Sequence, residues 1–293
     1  ARAAPRLRSA ALGGAFSPVA GLLDLGVDGI MLLGAFGAFY AVLTTGNVWR
    51  GVLVAMAIGL VMGLIMSFVS VTLKAEQGVS GIGLQMFGLG MSSLLFKVMV
   101  GTVRTVKGFS RLQIPILSDI PVIGPIFFNN TILVYIAFAL VPISWWVLER
   151  TTIGLTIKAV GQNPAAADSR GINVNLVRYM SVSFGAILAG VAGASLSISI
   201  SNLFQDNLTA GQGFIAVALV YFGGWTPVGV MFGALLFSVA NSVQLWMQVL
   251  GVNVPASLAN MLPYVLTIVA LTVTVYRGRK PAALNKPFLR GEN

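Results

Sequence analysis

Residues 207–276 read NLTAGQGFIAVALVYFGGWTPVGVMFGALLFSVANSVQLWMQVLGVNVPASLANMLPYVLTIVALTVTVY, 70 residues without one Lys, Arg, Asp or Glu. An α-helix needs about 20 apolar residues to cross a bilayer, so this run is too long for one crossing. It breaks at Gly223-Gly224-Trp225-Thr226-Pro227 and again between Gly251 and Pro255. The breaks predict a membrane-dipping helix at 211–223 and crossings at 228–250 and 258–276. The apolar residues run continuously and do not alternate, which favours helices over a membrane barrel.

Working outward, further uncharged runs cover Gly29–Trp49, Gly51–Leu73, Gln77–Phe96, Ile120–Leu148 (its helical part Thr131–Leu148) and Tyr179–Gln205. The predicted fold class is all-α, a polytopic transmembrane helix bundle with broken or re-entrant helices, forming one domain over 1–293. Composition agrees: 57% of residues are apolar and 9% charged, against about a quarter charged in an ordinary soluble domain. Mean hydropathy is +0.90. A soluble globular protein, a disordered chain and a nucleic-acid-binding module are excluded on that ground. With neither Cys nor His in the chain, thiolate chemistry, disulfides, imidazole metal sites and His-based proton transfer are excluded too.

The net charge of +10 comes from 18 Lys and Arg against 8 Asp and Glu. Arg150, Lys158, Arg170 and Arg178 fall in a polar loop at 149–178, and Arg277, Arg279, Lys280, Lys286 and Arg290 in a tail at 277–293. The positive-inside rule places both in the cytoplasm. An even number of crossings then separates them, which requires 211–223 to cross most of the membrane. The segment 101–130 faces outward in spite of Arg104, Lys107 and Arg111, and its prolines Pro115, Pro121 and Pro125 suit a structured external loop. At the N-terminus, Arg2, Arg6 and Arg8 precede an apolar stretch broken by Gly13-Gly14 and Ser17-Pro18, unlike the unbroken core of a signal peptide. That pattern, without an initiating Met, reads as a trimmed chain that lacks a first spanning helix.

Four groups of residues invite a functional reading. Asn163 and Pro164 make a cap and first position for a short helix, and Ala165, Ala166 and Ala167 give it a smooth face, with Gly161 before and Gly171 after. Such a helix either docks in a groove of another protein or links two crossings. Asp24 and Asp28 would share one face of a helix, and a charge in a bilayer costs roughly 2.5–3.5 kcal/mol on insertion scales. They either line a substrate path or, for Asp28, cap the helix that begins at Ile30. Small residues at four-residue spacing (Ala186/Gly190, Ala189/Gly193, Gly59/Gly63, Gly229/Gly233) imply close helix packing. Asn241 and Gln244, three apart on one face, either hydrogen-bond a substrate or a neighbouring helix. The chain has no phosphate-binding Gly-x-x-x-x-Gly-Lys-Ser/Thr loop, so ATP hydrolysis would belong to another subunit.

The run from Gly154 through Gln162-Asn163-Pro164-Ala165-Ala166-Ala167 to Gly171-Ile172 resembles the cytoplasmic signature of one permease superfamily, the inner-membrane subunits of bacterial ABC importers for branched-chain amino acids, ribose-type sugars and nucleosides. Gly26-Val27-Asp28-Gly29-Ile30-Met31-Leu32-Leu33-Gly34-Ala35-Phe36 is similar to the N-x-G-x-E-G-x-M-L-x-G-A-F pattern of its nucleoside and simple-sugar branch. Leu117 to Pro125, Thr209 to Ala216 and Phe222 to Pro227 fit that branch as well. Asp24 stands where the branch usually has Asn, and Asp28 where it has Glu; members usually carry one more N-terminal helix.

The resemblance implies a permease with no cofactor that makes and breaks no covalent bond. Its implied partners are a second permease subunit, identical or homologous, two cytoplasmic ABC ATPase subunits docked around Asn163 to Ala167, and an extracytoplasmic substrate-binding protein. ATP-driven closure would alternate access along a path that moves a nucleoside or simple sugar inward across the bacterial inner membrane. The rival readings are a branched-chain amino acid permease, an ATPase-independent channel or secondary transporter, and an intramembrane enzyme restricted to carboxylate chemistry.

Overall fold

The computed structural model describes residues 17–113, 129–249, 265, 272 and 281–288. The expected crossing at 258–276, apart from two positions, lies outside those residues, as do 1–16, the middle of the expected external loop at 114–128, and tail residues 277–280 and 289–293. The chain begins with a single turn at 17–19. It continues as α1 (Val27–Thr45), α2 (Val48–Ser67), α3 (Gln77–Met99), α4 (Ile132–Arg150), α5 (Thr152–Gln162), α6 (Pro164–Ser169), α7 (Val174–Ser195), α8 (Gln212–Phe222) and α9 (Pro227–Val249). Two short strands, β1 (Arg111–Gln113) and β2 (Asn129–Thr131), pair antiparallel at the two ends of the loop between α3 and α4. α2 and α7 each finish in a wider π-turn, at Phe68–Thr72 and Leu196–Ile200. With those extensions, α1, α2, α3, α4 and α7 are long and apolar enough to cross a membrane. The protein is an all-α polytopic bundle.

Local chemistry sets the boundaries. Gly46, at φ +69, closes α1 with its N–H on the Val42 carbonyl, and Asn47 caps α2 by accepting from Trp49 N at 2.9 Å. The uncharged run Gly29–Trp49 therefore holds a helix end and a helix start that charge alone conceals. Glu76 caps α3 through Val79 N (2.6 Å) and Gly78 N (3.1 Å). Asn173 caps α7, so that helix starts at Val174 and not at 179. Arg178 is thereby moved from the expected polar loop into the first turns of α7, where it is buried.

α1 is buried on every side and forms the bundle's centre, flanked by α2, α3 and α7. A helix apolar all round belongs in such a place. Small residues bring the backbones together. A Cβ on Gly34 would come within 2.9 Å of Gly190 Cα, and one on Gly193 would land on the Met31 carbonyl oxygen. Cβ atoms on Gly59 and Gly190 would strike the carbonyls of Ala186 and Ala55. The small-residue spacing seen in the sequence is thus the seam of α1, α2 and α7. Gly229 and Gly233 close the α8–α9 turn in the same manner, against Gly223 and Phe222.

α8 has 11 residues, about 16 Å of helix at 1.5 Å per residue and half of a ~30 Å hydrocarbon core. The rest of that crossing is non-helical. Leaving the end of α7, Leu203 bridges to Thr105, Phe204 wedges among Phe36, Phe39 and Phe96, Asp206 accepts from Ser93 Oγ, and Thr209 arrives beside Asp28. α8 then carries the chain on to Trp225, which packs with Val19, Leu148 and Val177 at the end of the bundle that holds α5 and α6. The turns at 201–211 and α8 together carry the chain from the Thr105 bridge to Trp225 at the α5–α6 end. α1 has the complementary build: residues 17–26 climb irregularly from the α5–α6 end, and the helix starts only at Val27. Irregular backbone at membrane depth is tolerated where protein buries it.

Candidate functional site

The two helix breaks meet at one carboxylate. Asp28, in the first turn of α1, is buried; its Oδ1 accepts from Gly213 N at 2.8 Å and its Oδ2 from Thr209 Oγ1 at 3.3 Å. Gly213 lies in the first turn of α8, so the Asp28 carboxyl group sits at the N-terminal ends of both α1 and α8, where helix dipoles favour negative charge. Asp28 therefore caps a helix, but α8 and not the one it belongs to. Gly213 has no Cβ to hold the elements apart: one there would fall on Asp28 Cα. Asp24 turns back on the chain, accepting from Gly26 N at 2.9 Å, while Leu23 N donates to Gln77 Oε1 at 2.8 Å. Both aspartates are buried, on the same approach to α1.

Strained backbone gathers around α8. Asn202, Asn207, Ala210 and Trp225 all have φ between +45 and +64, and Gly211 and Gly224 lie in the same left-handed region. Such residues persist only where their surroundings hold them, and they concentrate at ligand clamps and switch points. Two buried side-chain oxygens beside this segment, Asn202 Oδ1 and Gln212 Oε1, have no partner among the described residues. They are acceptors that a bound solute with hydroxyl or amino groups would satisfy. Asn202, Thr209, Gln212 and Gly213 were not singled out as site residues from sequence. The signal was the stretch Thr209 to Ala216, which entered only through the family resemblance. Asn241 is half-buried on α9 with no described contact to Asp24 or Asp28, and the Gln244 side chain lies outside the described residues.

A second site is the α5–α6 pair. Asn163 Oδ1 accepts from Ala166 N at 3.0 Å, Pro164 takes the first helical position, and Gly171, at φ +82, ends the turn with Ile172 N on the Ala167 carbonyl. The three alanines do not form one outward face. Ala167 turns inward against Val160 and Val174, Ala165 is half-buried and Ala166 is exposed beside Asn163. Gly161 lies against the approach to α1 so closely that a Cβ would overlap the Val19 carbonyl. The pair is thus anchored below and open above. Lys158 and Glu149 form an ion pair at 2.5 Å, each side chain over a third exposed, so it adds little stability. Glu76, at the start of α3, is held below the ordinary carboxylate range by the N–H groups of Val79 and Gly78.

Arg178 has no such compensation. Its Nε and Nη2 are buried and unpartnered among the described residues. A lone buried charge is costly, and an apolar replacement of similar volume is often stabilising. Arg178→Met should therefore raise the thermal unfolding midpoint of the detergent-solubilised chain. A lowered midpoint would show that the guanidinium has a stabilising partner.

A bundle of membrane-length helices in which the irregular approach to α1 and the start of the short α8 meet inside the protein has the build of a multi-pass membrane permease. Residues 4–271 match the family described as "Branched-chain amino acid transport system / permease component", and the chain belongs to that family. It is a transport component and not an enzyme. The chain is 37% identical to the guanosine ABC transporter permease protein NupQ of Bacillus subtilis, over 99% of this chain and 94% of the relative. It is 35% identical to the nucleoside ABC transporter permease protein NupC of Lactococcus lactis, over 96% and 92%. A shorter similarity, 34% identity over 34% of this chain and 33% of the relative, joins it to the ribose import permease protein RbsC of Escherichia coli. No solved structure matches the chain.

Proposed function

We propose that this chain is the membrane permease of an ATP-driven importer for nucleosides or related sugars. It would work with a second permease subunit, two cytoplasmic ATPase subunits and an extracytoplasmic binding protein. The observation that carries the coupling half of this reading is the α5–α6 pair, an exposed capped turn resting directly on the approach to α1 through Gly161 and Val19. Closure of docked ATPases would press on Ala166 and Asn163, move residues 17–26, and shift Asp28 together with the start of α8. That motion changes which end of the path between the two breaks is open. The substrate half rests on the full-length relatives named for guanosine and nucleosides. The orphan acceptors at Asn202 and Gln212 suit a ligand rich in hydroxyl and amino donors. Basic residues on the α5–α6 loop and tail support a cytoplasmic position for both.

The test is uptake of labelled guanosine, ribose and leucine into proteoliposomes holding the chain with its ATPase and binding-protein partners. ATP-dependent guanosine uptake is the expected result. Leucine uptake would favour the amino-acid reading that the family description carries, and uptake without the ATPase would overturn the coupling. Ala166→Arg places a long cation on the exposed turn and leaves the buried anchor at Ala167 untouched. It should abolish ATPase co-purification without changing the chain's own elution profile; undiminished co-purification would remove α5–α6 as the docking element.

A further inference from the structure

Residues 281–288, beyond the last expected crossing, lie at the α5–α6 end and touch several elements there. Ala283 N donates to the Gly161 carbonyl at 3.0 Å, at the end of α5. Asn285 N donates to the Gly21 carbonyl at 3.2 Å, on the approach to α1, and Asn285 Nδ2 reaches Glu76 Oε1, the cap of α3, at 3.5 Å. Phe288 packs on the small cluster of Val160, Ala167 and Val174 that anchors α6. Ala283 is buried, and the segment is folded on itself by Leu284 N to Pro281 O and Lys286 N to Ala283 O. Asn285 holds a left-handed φ of +60, which keeps its N–H aimed at Gly21 while its amide reaches Glu76. Gly21, at φ +86, has Ala283 O 3.2 Å from where its Cβ would be, so a side chain at Gly21 would crowd the strap.

We propose that residues 281–288 form a strap that makes α5–α6 and the approach to α1 move as one body, with Ala283, Asn285 and Phe288 as positioning residues for the transport cycle. This rests on the reading of α5–α6 as the ATPase-docking element. Gly161 and residues 19–21 are about 140 residues apart in sequence and belong to different helices, so a push on α5 reaches α1 only through the contact surface. The strap bonds to both sides of that surface and fills its edge with Phe288. Without it, α5–α6 can tilt while residues 17–26 stay behind, and ATP is hydrolysed without moving Asp28.

The experiment compares three chains in the reconstituted full complex: truncation after Lys280, Phe288→Ala and Phe288→Leu. The readouts are co-purified ATPase, ATP hydrolysis, and uptake per ATP hydrolysed. Truncation should leave ATPase stoichiometry intact and lower uptake per ATP roughly tenfold, within the span of ordinary coupling free energies. Phe288→Ala should lower it less, and Phe288→Leu should restore it. An unchanged ratio in the truncated chain overturns the strap. Retained ATPase in Ala166→Arg overturns the docking reading instead, so the two failures are distinct. Should the truncated chain not fold, the absence of Cys in the sequence allows clean spin-labelling of the full chain at Arg170→Cys and Lys286→Cys, both exposed positions. Their separation should be the same with and without trapped ATP, and a separation that follows the nucleotide state overturns the proposal.

Discussion

Asp28→Ala should reduce uptake at least tenfold in the reconstituted complex while the chain still inserts. The substitution leaves the Gly213 N–H and the Thr209 hydroxyl buried without their acceptor. Each orphaned donor costs about 1–3 kcal/mol, and both penalties fall on the contact between α1 and α8. Asp28→Asn keeps an acceptor for Gly213 and should be intermediate. Gly213→Ala separates a clamp from a mere ligand contact. Its Cβ would fall on Asp28 Cα, which pushes α8 away and leaves the carboxylate intact, so it should resemble Asp28→Ala. Unchanged uptake in Asp28→Ala, measured with labelled substrate, would remove the clamp from the transport cycle.

The second large effect belongs to folding. Gly193→Leu should abolish recovery of monodisperse protein, because its Cβ would overlap the Met31 carbonyl at the centre of the bundle. Overpacking a core costs typically 1–3 kcal/mol when side chains can yield, and here the obstacle is backbone of a helix buried on every side. Gly83→Leu and Gly90→Leu are the controls. Both glycines are helical, but nothing lies within 4 Å of their Cβ positions. Substitution there should leave yield and elution unchanged. Equal loss at all three sites, by fluorescence-detected size exclusion, would show that the close approach at Gly193 does not set the requirement.

Hydropathy and charge were enough to find the five membrane-length helices among the described residues, because burial in lipid demands long uncharged runs. They misplaced ends wherever a charge stood inside a helix or a turn contained none. Arg178 belongs to α7, and Gly46-Asn47 divides an uncharged run. The Asn163 cap and Pro164 are local, so the α6 turn was legible; that Ala167 faces inward depends on Val160 and Val174 and was not. The Asp28 contact joins residues 185 apart. A carboxylate four residues from another reads as a local pair, and which backbone N–H it finds is decided by tertiary packing. The strap was invisible for the same reason: its bonds to Gly161 and Gly21 are made by backbone groups, which every sequence has.

The half-helical segment at 201–222 also bears on how the protein is made. Its non-helical half has peptide groups that lipid could not satisfy, at several kcal/mol each. The segment has no stable life in the bilayer by itself. It gains one only when Phe36, Phe39 and Phe96 already form a slot for Phe204, and Asp28 waits for Gly213. The expected assembly is in two acts, the conventional helices entering lipid first and this segment folding into their interior afterwards. A ribosome-bound intermediate truncated before residue 201 should already be an inserted bundle, with a vacancy where residues 201–222 later fold.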